Sequence, residues 1–140
     1  MSDRAPEFPG FPGAGVAVLR IVTGVVFAMH GYQKFFGMGI GGVTGFFGSL
    51  GIPDPHFFAM VVSTVELVGG IALVLGLLTR FVAIPLIIDM MTAIVLVHAK
   101  NGFFVPRGVE LVLMLMTSCI ALVLAGPGAV SIDRALREKQ

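Results

Sequence analysis

Four long apolar segments alternate with short polar stretches along the chain, at about 16–36, 57–78, 81–97 and 109–126. Lengths of about 18–21 residues suit helices that cross the roughly 30 Å hydrocarbon core of a bilayer, because an α-helix rises about 1.5 Å per residue. Asp89 interrupts the third segment. The pattern predicts an all-α integral membrane protein, folded as a four-helix bundle with four spans.

The polar stretches predict how these spans are joined. Little more than Thr79 and Arg80 separates the second span from the third, which favours an antiparallel hairpin. Between the first and second spans, three glycines at four-residue spacing and then Pro53 indicate a short interfacial or re-entrant segment. We expect residues 1–15 to be flexible and residues 131–140 to form a short surface tail. The whole chain is then a single membrane domain.

Each span carries its small and polar residues along one helical face. In the second span this face holds Ser63, Glu66 and Gly70. Such residues usually face the interior of a membrane bundle, so we expect Leu, Ile and Val to face lipid. Depth along the spans then predicts contacts between helices, and it places Arg20 near Asp89 as a candidate structural ion pair.

Glu66 is the only ionisable residue of the second span, and it lies roughly at the expected bilayer midplane. A charged side chain there costs about 2.5–3.5 kcal/mol on insertion scales, so the folded protein must offset that cost. Polar residues of the other spans and connections are expected to converge on its outer side. This candidate ligand-binding cluster comprises His30, Tyr32, Lys34, Glu66, His98, Asn101 and Glu110.

Four Phe-Phe pairs fall on the same side of the predicted bundle. They are interpreted either as an anchor at the level of the lipid headgroups or as an apolar wall around a flat ring ligand. The residues do not decide between these two interpretations.

Composition narrows the class of protein. The chain is 56% hydrophobic and 12% charged, with a mean hydropathy of +1.00, which excludes a soluble domain of this size. A net charge of +1 gives no indication of nucleic-acid binding. The lone Cys119 excludes an internal disulfide. Lys and Arg are more frequent on the side of the two termini, which predicts cytoplasmic termini.

Several short motifs resemble the DoxX family of small bacterial integral membrane proteins. They are HGYQKFFG at 30–37, VELVGG at 65–70, GLLTR at 76–80, VHAKNGFF at 97–104 and the GPGAVSIDRAL ending at 126–136. The resemblance implies a four-span bundle in the bacterial plasma (inner) membrane. It also implies association with quinone-linked redox chemistry or with oxidative-stress complexes that contain soluble redox partners.

We therefore expect a membrane subunit or scaffold of a bacterial redox complex, embedded in the lipid bilayer as a homo-oligomer or together with redox proteins. Two alternatives stay open. One is an oxidoreductase subunit that binds quinone or haem, and the other is a small bundle that conducts protons or small solutes. The sequence assigns no metal ligand, and it does not decide whether this chain catalyses a reaction itself.

Overall fold

The computed structural model describes residues 11–139, and in this part of the chain every regular element is a helix. The α-helices are α1 (Pro12–Tyr32), α2 (Gly39–Ser49), α3 (Pro55–Leu75), α4 (Thr79–Ala93), α5 (Glu110–Ala125) and α6 (Ile132–Arg137). Two π-helical turns continue α1 over Gln33–Gly37 and α4 over Ile94–His98. The prediction of an all-α fold is confirmed.

Within the described residues, three helical stretches are long and apolar enough to cross a membrane. They are Pro12–Gly37, Pro55–Leu75 and Thr79–Asn101. The remaining long helix, α5, is also apolar but has 16 residues, about 24 Å at 1.5 Å per residue. Length and hydropathy thus agree with a multi-helix membrane protein.

Glycines let α1 and α3 approach each other closely. A Cβ atom added to Gly24 would lie 2.7 Å from the carbonyl oxygen of Gly70, and one added to Gly31 would collide with the backbone of Leu67. Helix backbones come this close only where the facing residues lack side chains. Helices α4 and α5 form the next most extensive pair, and α2 packs on α3.

The C-terminal segment that follows α5 covers the end of the bundle at which α1 begins. We call this end the terminal end. Arg20 is fully buried there and donates to the carbonyl oxygens of Pro127, Ala129 and Val130. The structure therefore does not form the expected pair between Arg20 and Asp89. The carbonyl groups of this non-helical segment lack helix partners and need donors, and Arg20 lies within their reach.

The same segment sets the boundary between α3 and α4. Asp133 accepts hydrogen bonds from the backbone N–H groups of Leu78 (2.7 Å) and Thr79 (2.9 Å). Gly76 and Leu78 both adopt positive φ angles, so the turn between the helices is 76–78. Thr79 and Arg80 consequently lie in the first turn of α4 rather than forming the link between the two helices.

The start of the first helix differs from the sequence-based expectation, whereas the C-terminal tail lies at the surface as expected. The flexible segment predicted for 1–15 lies outside the described residues as far as residue 10, and α1 already begins at Pro12. The tail predicted for 131–140 is helical in α6, where the Ser131 hydroxyl accepts from the N–H of Arg134 (3.2 Å). The tail is held against the bundle because Asp133 and the carbonyl of Val130 bind α4 and α1.

Candidate functional site

A cavity of about 540 Å³ lies among α1 to α5 at the end of the bundle opposite the terminal end. This volume falls within the range of about 300–1,000 Å³ that is usual for small-molecule sites. Most of the lining is apolar: Phe46 and Phe47 come from α2, Phe58 from α3, and Leu111 and Leu115 from α5. We call this space the ligand cavity.

The floor of the ligand cavity contains an ion pair between Lys34 and Glu66. The Lys34 Nζ atom lies 2.5 Å from Glu66 Oε2. The Glu66 side chain is 5% exposed and the Lys34 side chain 20% exposed. Lys34 reaches this position from the π-helical turn after α1, and such turns are frequent at functional sites. The ammonium group offsets the cost of placing the Glu66 carboxylate in the middle of α3.

Asp89 brings a second carboxyl group to the same floor. It lines the ligand cavity and lies close enough to interact with the Glu66 carboxyl group and with the charge of Lys34. Its Oδ2 atom is buried and has no hydrogen-bond partner among residues 11–139. Sequence reasoning assigned Asp89 to Arg20 instead. The sequence holds a signal for the observed arrangement, because Glu66 and Asp89 both lie near the middle of a long apolar helix.

Two histidines also line the ligand cavity. His30, on the last turn of α1, lies near both Lys34 and Glu66. His98 ends the π-helical turn after α4, and its Nδ1 atom lies 2.8 Å from the carbonyl oxygen of Arg107. A carbonyl oxygen only accepts, so Nδ1 of His98 carries a hydrogen and donates it to Arg107, which leaves Nε2 free of this contact.

The three other residues of the predicted cluster do not line the cavity. Tyr32 is 53% exposed on the outer face of α1, because it lies two residues from both His30 and Lys34, about 200° around the helix. Asn101 donates to the carbonyl of Val97 (2.9 Å), and Glu110 accepts from the N–H of Val105 (2.6 Å). The structure thus brings four of the seven residues to one cavity, and their role in binding stays a prediction.

The Phe pairs separate into two groups. Phe46, Phe47 and Phe58 line the ligand cavity, whereas Phe103 and Phe104 are 53% and 76% exposed. An apolar wall is consistent with the pair on α2 and with Phe58 of α3, and an exposed anchor is consistent with the pair at 103–104. Both interpretations of the Phe pairs stay predictions.

Chemically, the ligand cavity combines aromatic walls with a compact charged floor. Lys34 has two ammonium hydrogens left after its bond to Glu66, and Asp89 adds an acceptor. Within residues 11–139, no group of three or more His, Cys, Asp or Glu side chains is gathered in a way that would hold a metal ion. The arrangement suits a ligand that is flat and apolar but carries a polar atom at one end.

Comparisons with known proteins identify one family and several relatives. The DoxX family model matches residues 15–99, more than half of the chain. A Bacillus subtilis (strain 168) protein named "Putative oxidoreductase CatD" is 36% identical over 119 residues, which cover 85% of this chain and 84% of that protein. An uncharacterized membrane protein of Mycobacterium tuberculosis is 37% identical over 152 residues, covering 98% of this chain and 93% of that protein.

A further relative is the inner membrane protein YphA of Escherichia coli (strain K12). It is 30% identical over 123 residues, which cover 84% of this chain and 86% of that protein. No solved structure gives a significant match. The family model spans the residues that α1 to α4 contribute to the ligand cavity, and the chain belongs to the DoxX family of membrane proteins.

Proposed function

We propose that this chain is a membrane subunit of a bacterial redox complex and that its ligand cavity binds a flat ring ligand of the quinone class. The observation that carries the proposal is the cavity of about 540 Å³ with the Lys34–Glu66 ion pair at its floor. A quinone is an apolar ring with carbonyl oxygens, so it needs an aromatic slot and a hydrogen-bond donor at one end.

The lining residues fit these two requirements. Phe46, Phe47 and Phe58 offer aromatic rings that pack against a flat ligand in offset or edge-to-face contacts. Lys34 offers its remaining ammonium hydrogens to a carbonyl oxygen that reaches the floor. When bound, a quinone would supply reversible electron and proton uptake. The residues of this chain would hold the ring, exclude water from it and bind one of its oxygens.

The relatives support the redox class and the membrane. One relative carries the name "Putative oxidoreductase CatD", and another is named as an inner membrane protein. Since the chain covers more than four fifths of each of these relatives, the same general role is proposed for the whole chain. The inner membrane of a bacterium is the proposed location.

The proposed topology completes this picture. Helix α5 is a shorter fourth span beside the three longer helices, α2 is an interfacial or re-entrant segment, and both termini are cytoplasmic. Single cysteines introduced at Arg137 and Lys100, in a Cys119→Ser background, test the orientation. A membrane-impermeant thiol reagent added to the outside of intact cells should label only the cysteine at position 100. Labelling at position 137 under these conditions would contradict the orientation.

Ligand binding is tested by titrating the detergent-purified protein with a short-chain quinone in a calorimeter. The wild-type protein should show one saturable site. Ala93→Phe should abolish binding because Ala93 lines the ligand cavity, whereas Val95→Phe should not, because Val95 is 67% exposed on the same helical stretch. Absence of saturable binding to the wild-type protein would contradict the proposal and favour a purely structural subunit.

A further inference from the structure

The floor of the ligand cavity has more acidic than basic groups. Glu66 comes from α3, Asp89 from α4 and Lys34 from the π-helical turn after α1. The other titratable side chains that line the cavity are His30 and His98, and the lining residues of α2 and α5 carry no ionisable group. Two carboxyl groups therefore share one ammonium group at the middle of the bundle.

The contacts of these groups leave one acceptor without a donor. Lys34 binds Oε2 of Glu66, while Oδ2 of Asp89 is buried without a hydrogen-bond partner in the described part of the chain. The two carboxyl groups nevertheless lie within interaction distance of each other. Two ionised carboxylates so placed would repel, and neither could donate to the other.

One proton removes both difficulties. A protonated carboxyl group donates to a neighbouring carboxylate, so the pair attracts instead of repelling and the orphaned oxygen takes part in a hydrogen bond. The floor then holds one ammonium, one carboxylate and one carboxylic acid, and its net charge is zero. Neutrality is favourable at membrane depth, where an uncompensated charge is costly.

We propose that Glu66 and Asp89 form a carboxyl pair that holds one proton at the cavity floor and exchanges it with the oxygen atom of a bound ring ligand. The exchange rests on the proposed function, but the proton-holding pair does not. In the exchange, a carboxyl O–H bond breaks and a ligand O–H bond forms. A phenolate oxygen becomes a hydroxyl group, the pair becomes two carboxylates held by Lys34, and no electron moves.

This assignment gives Asp89 a role that differs from a structural ion pair. It also narrows the ligand to rings whose oxygen gains and loses a proton, such as phenols and the reduced forms of quinones. Lys34 keeps the carboxylate of the pair in place. His30 lies close enough to interact with the charges of Lys34 and Glu66.

Infrared spectroscopy of the purified full chain tests the pair directly. The wild-type protein should show the C=O stretching band of a protonated carboxyl group, and the band should shift when the solvent is exchanged for D₂O. Asp89→Asn and, as a second variant, Glu66→Gln should each lose the band. Glu138→Gln should keep it, because Glu138 is exposed and paired with Arg134. A wild-type spectrum without the band, or an unchanged band in Asp89→Asn, overturns the pair.

The exchange is tested with 4-nitrophenol, whose phenolate absorbs visible light and whose phenol form does not. Binding to the wild-type protein should remove phenolate absorbance together with the carboxyl band, and binding to Asp89→Asn should leave the absorbance unchanged. Failure of 4-nitrophenol to bind, or binding without loss of absorbance, overturns the exchange. If a quinone still binds in the calorimeter, the proposed function survives that result; if neither compound binds, the proposed function fails as well.

Discussion

Lys34 and Glu66 form an ion pair, so replacing both residues should lower the unfolding free energy by much less than the sum of the two single replacements. Glu66→Met removes the hydrogen-bond partner of the Lys34 ammonium group, whose side chain is 20% exposed, and Lys34→Met leaves a carboxylate that is 5% exposed. Breaking a buried ion pair costs about 3–5 kcal/mol. Since Lys34 is partly exposed, each single variant should lose about 3 kcal/mol of unfolding free energy, at the lower end of that range.

The double variant leaves no uncompensated charge from the pair, so it should lose less unfolding free energy than the sum of the two single variants. With a coupling energy of about 2–3 kcal/mol, it should lose about 3–4 kcal/mol, against about 6 kcal/mol expected for additive effects. The assay is equilibrium unfolding in mixed micelles, followed by the far-ultraviolet circular dichroism of the helices. A matched cycle on the exposed Arg134–Glu138 pair should give a coupling of about 0–1 kcal/mol.

The same variants separate a structural role from a binding role. If the pair only joins helices, a double variant whose stability is close to that of the single variants should still bind a short-chain quinone. The proposed function predicts that binding is lost in the double variant, because the ammonium donor is missing. A coupling energy near zero would refute the reasoning about the pair, and unchanged quinone binding in the double variant would refute its role at the floor of the ligand cavity.

Three further predictions concern packing and the terminal end. Gly70→Ala should lower the unfolding free energy by about 1–3 kcal/mol through overpacking, because the added Cβ atom would lie 2.6 Å from a carbonyl oxygen of α1. Gly45→Ala is the control and should not lower it, because nothing lies within 4 Å of a Cβ atom added there. Arg20→Met should cost about 3 kcal/mol, because buried carbonyl groups lose a charged donor; Arg137→Met, on the exposed α6, is the control. Asp133→Ala should cost about 1–2 kcal/mol through loss of the cap of α4. The same unfolding assay checks all three, and a variant indistinguishable from wild type would contradict the corresponding contact.

The helices could be predicted from the sequence because long apolar segments have few structural solutions in a membrane. Every backbone polar group must be satisfied within the segment, so helices follow directly from length and hydropathy. The helical faces that carry small residues on the first two spans could be predicted in the same way, and Gly24 and Gly70 meet where α1 crosses α3. His30, Lys34, Glu66 and His98 line one cavity for the same reason, since polar side chains avoid lipid.

Contacts made by irregular backbone could not be predicted in this way. Arg20 binds carbonyl groups more than a hundred residues away, and Asp133 caps a helix 54 residues before it. Neither partner has a periodic pattern, so reasoning from depth alone assigned Arg20 to the nearest carboxylate on another span. Arg20 is engaged at the terminal end, and Asp89 lies near Glu66. The π-helical turns that carry Lys34 and His98 also lack a sequence signature.

The central claim is that the ligand cavity above Lys34 and Glu66 receives a ring ligand, and photolabelling tests it most directly. The purified protein is illuminated with an azido-quinone, digested and mapped by mass spectrometry. We predict labelling of the α2–α3 region at 46–58 and of the α4 region at 89–98, suppressed by excess unlabelled quinone. Labelling confined to lipid-facing residues such as Phe81 and Leu124, which are 74% and 76% exposed, without suppression by excess quinone, would contradict the claim.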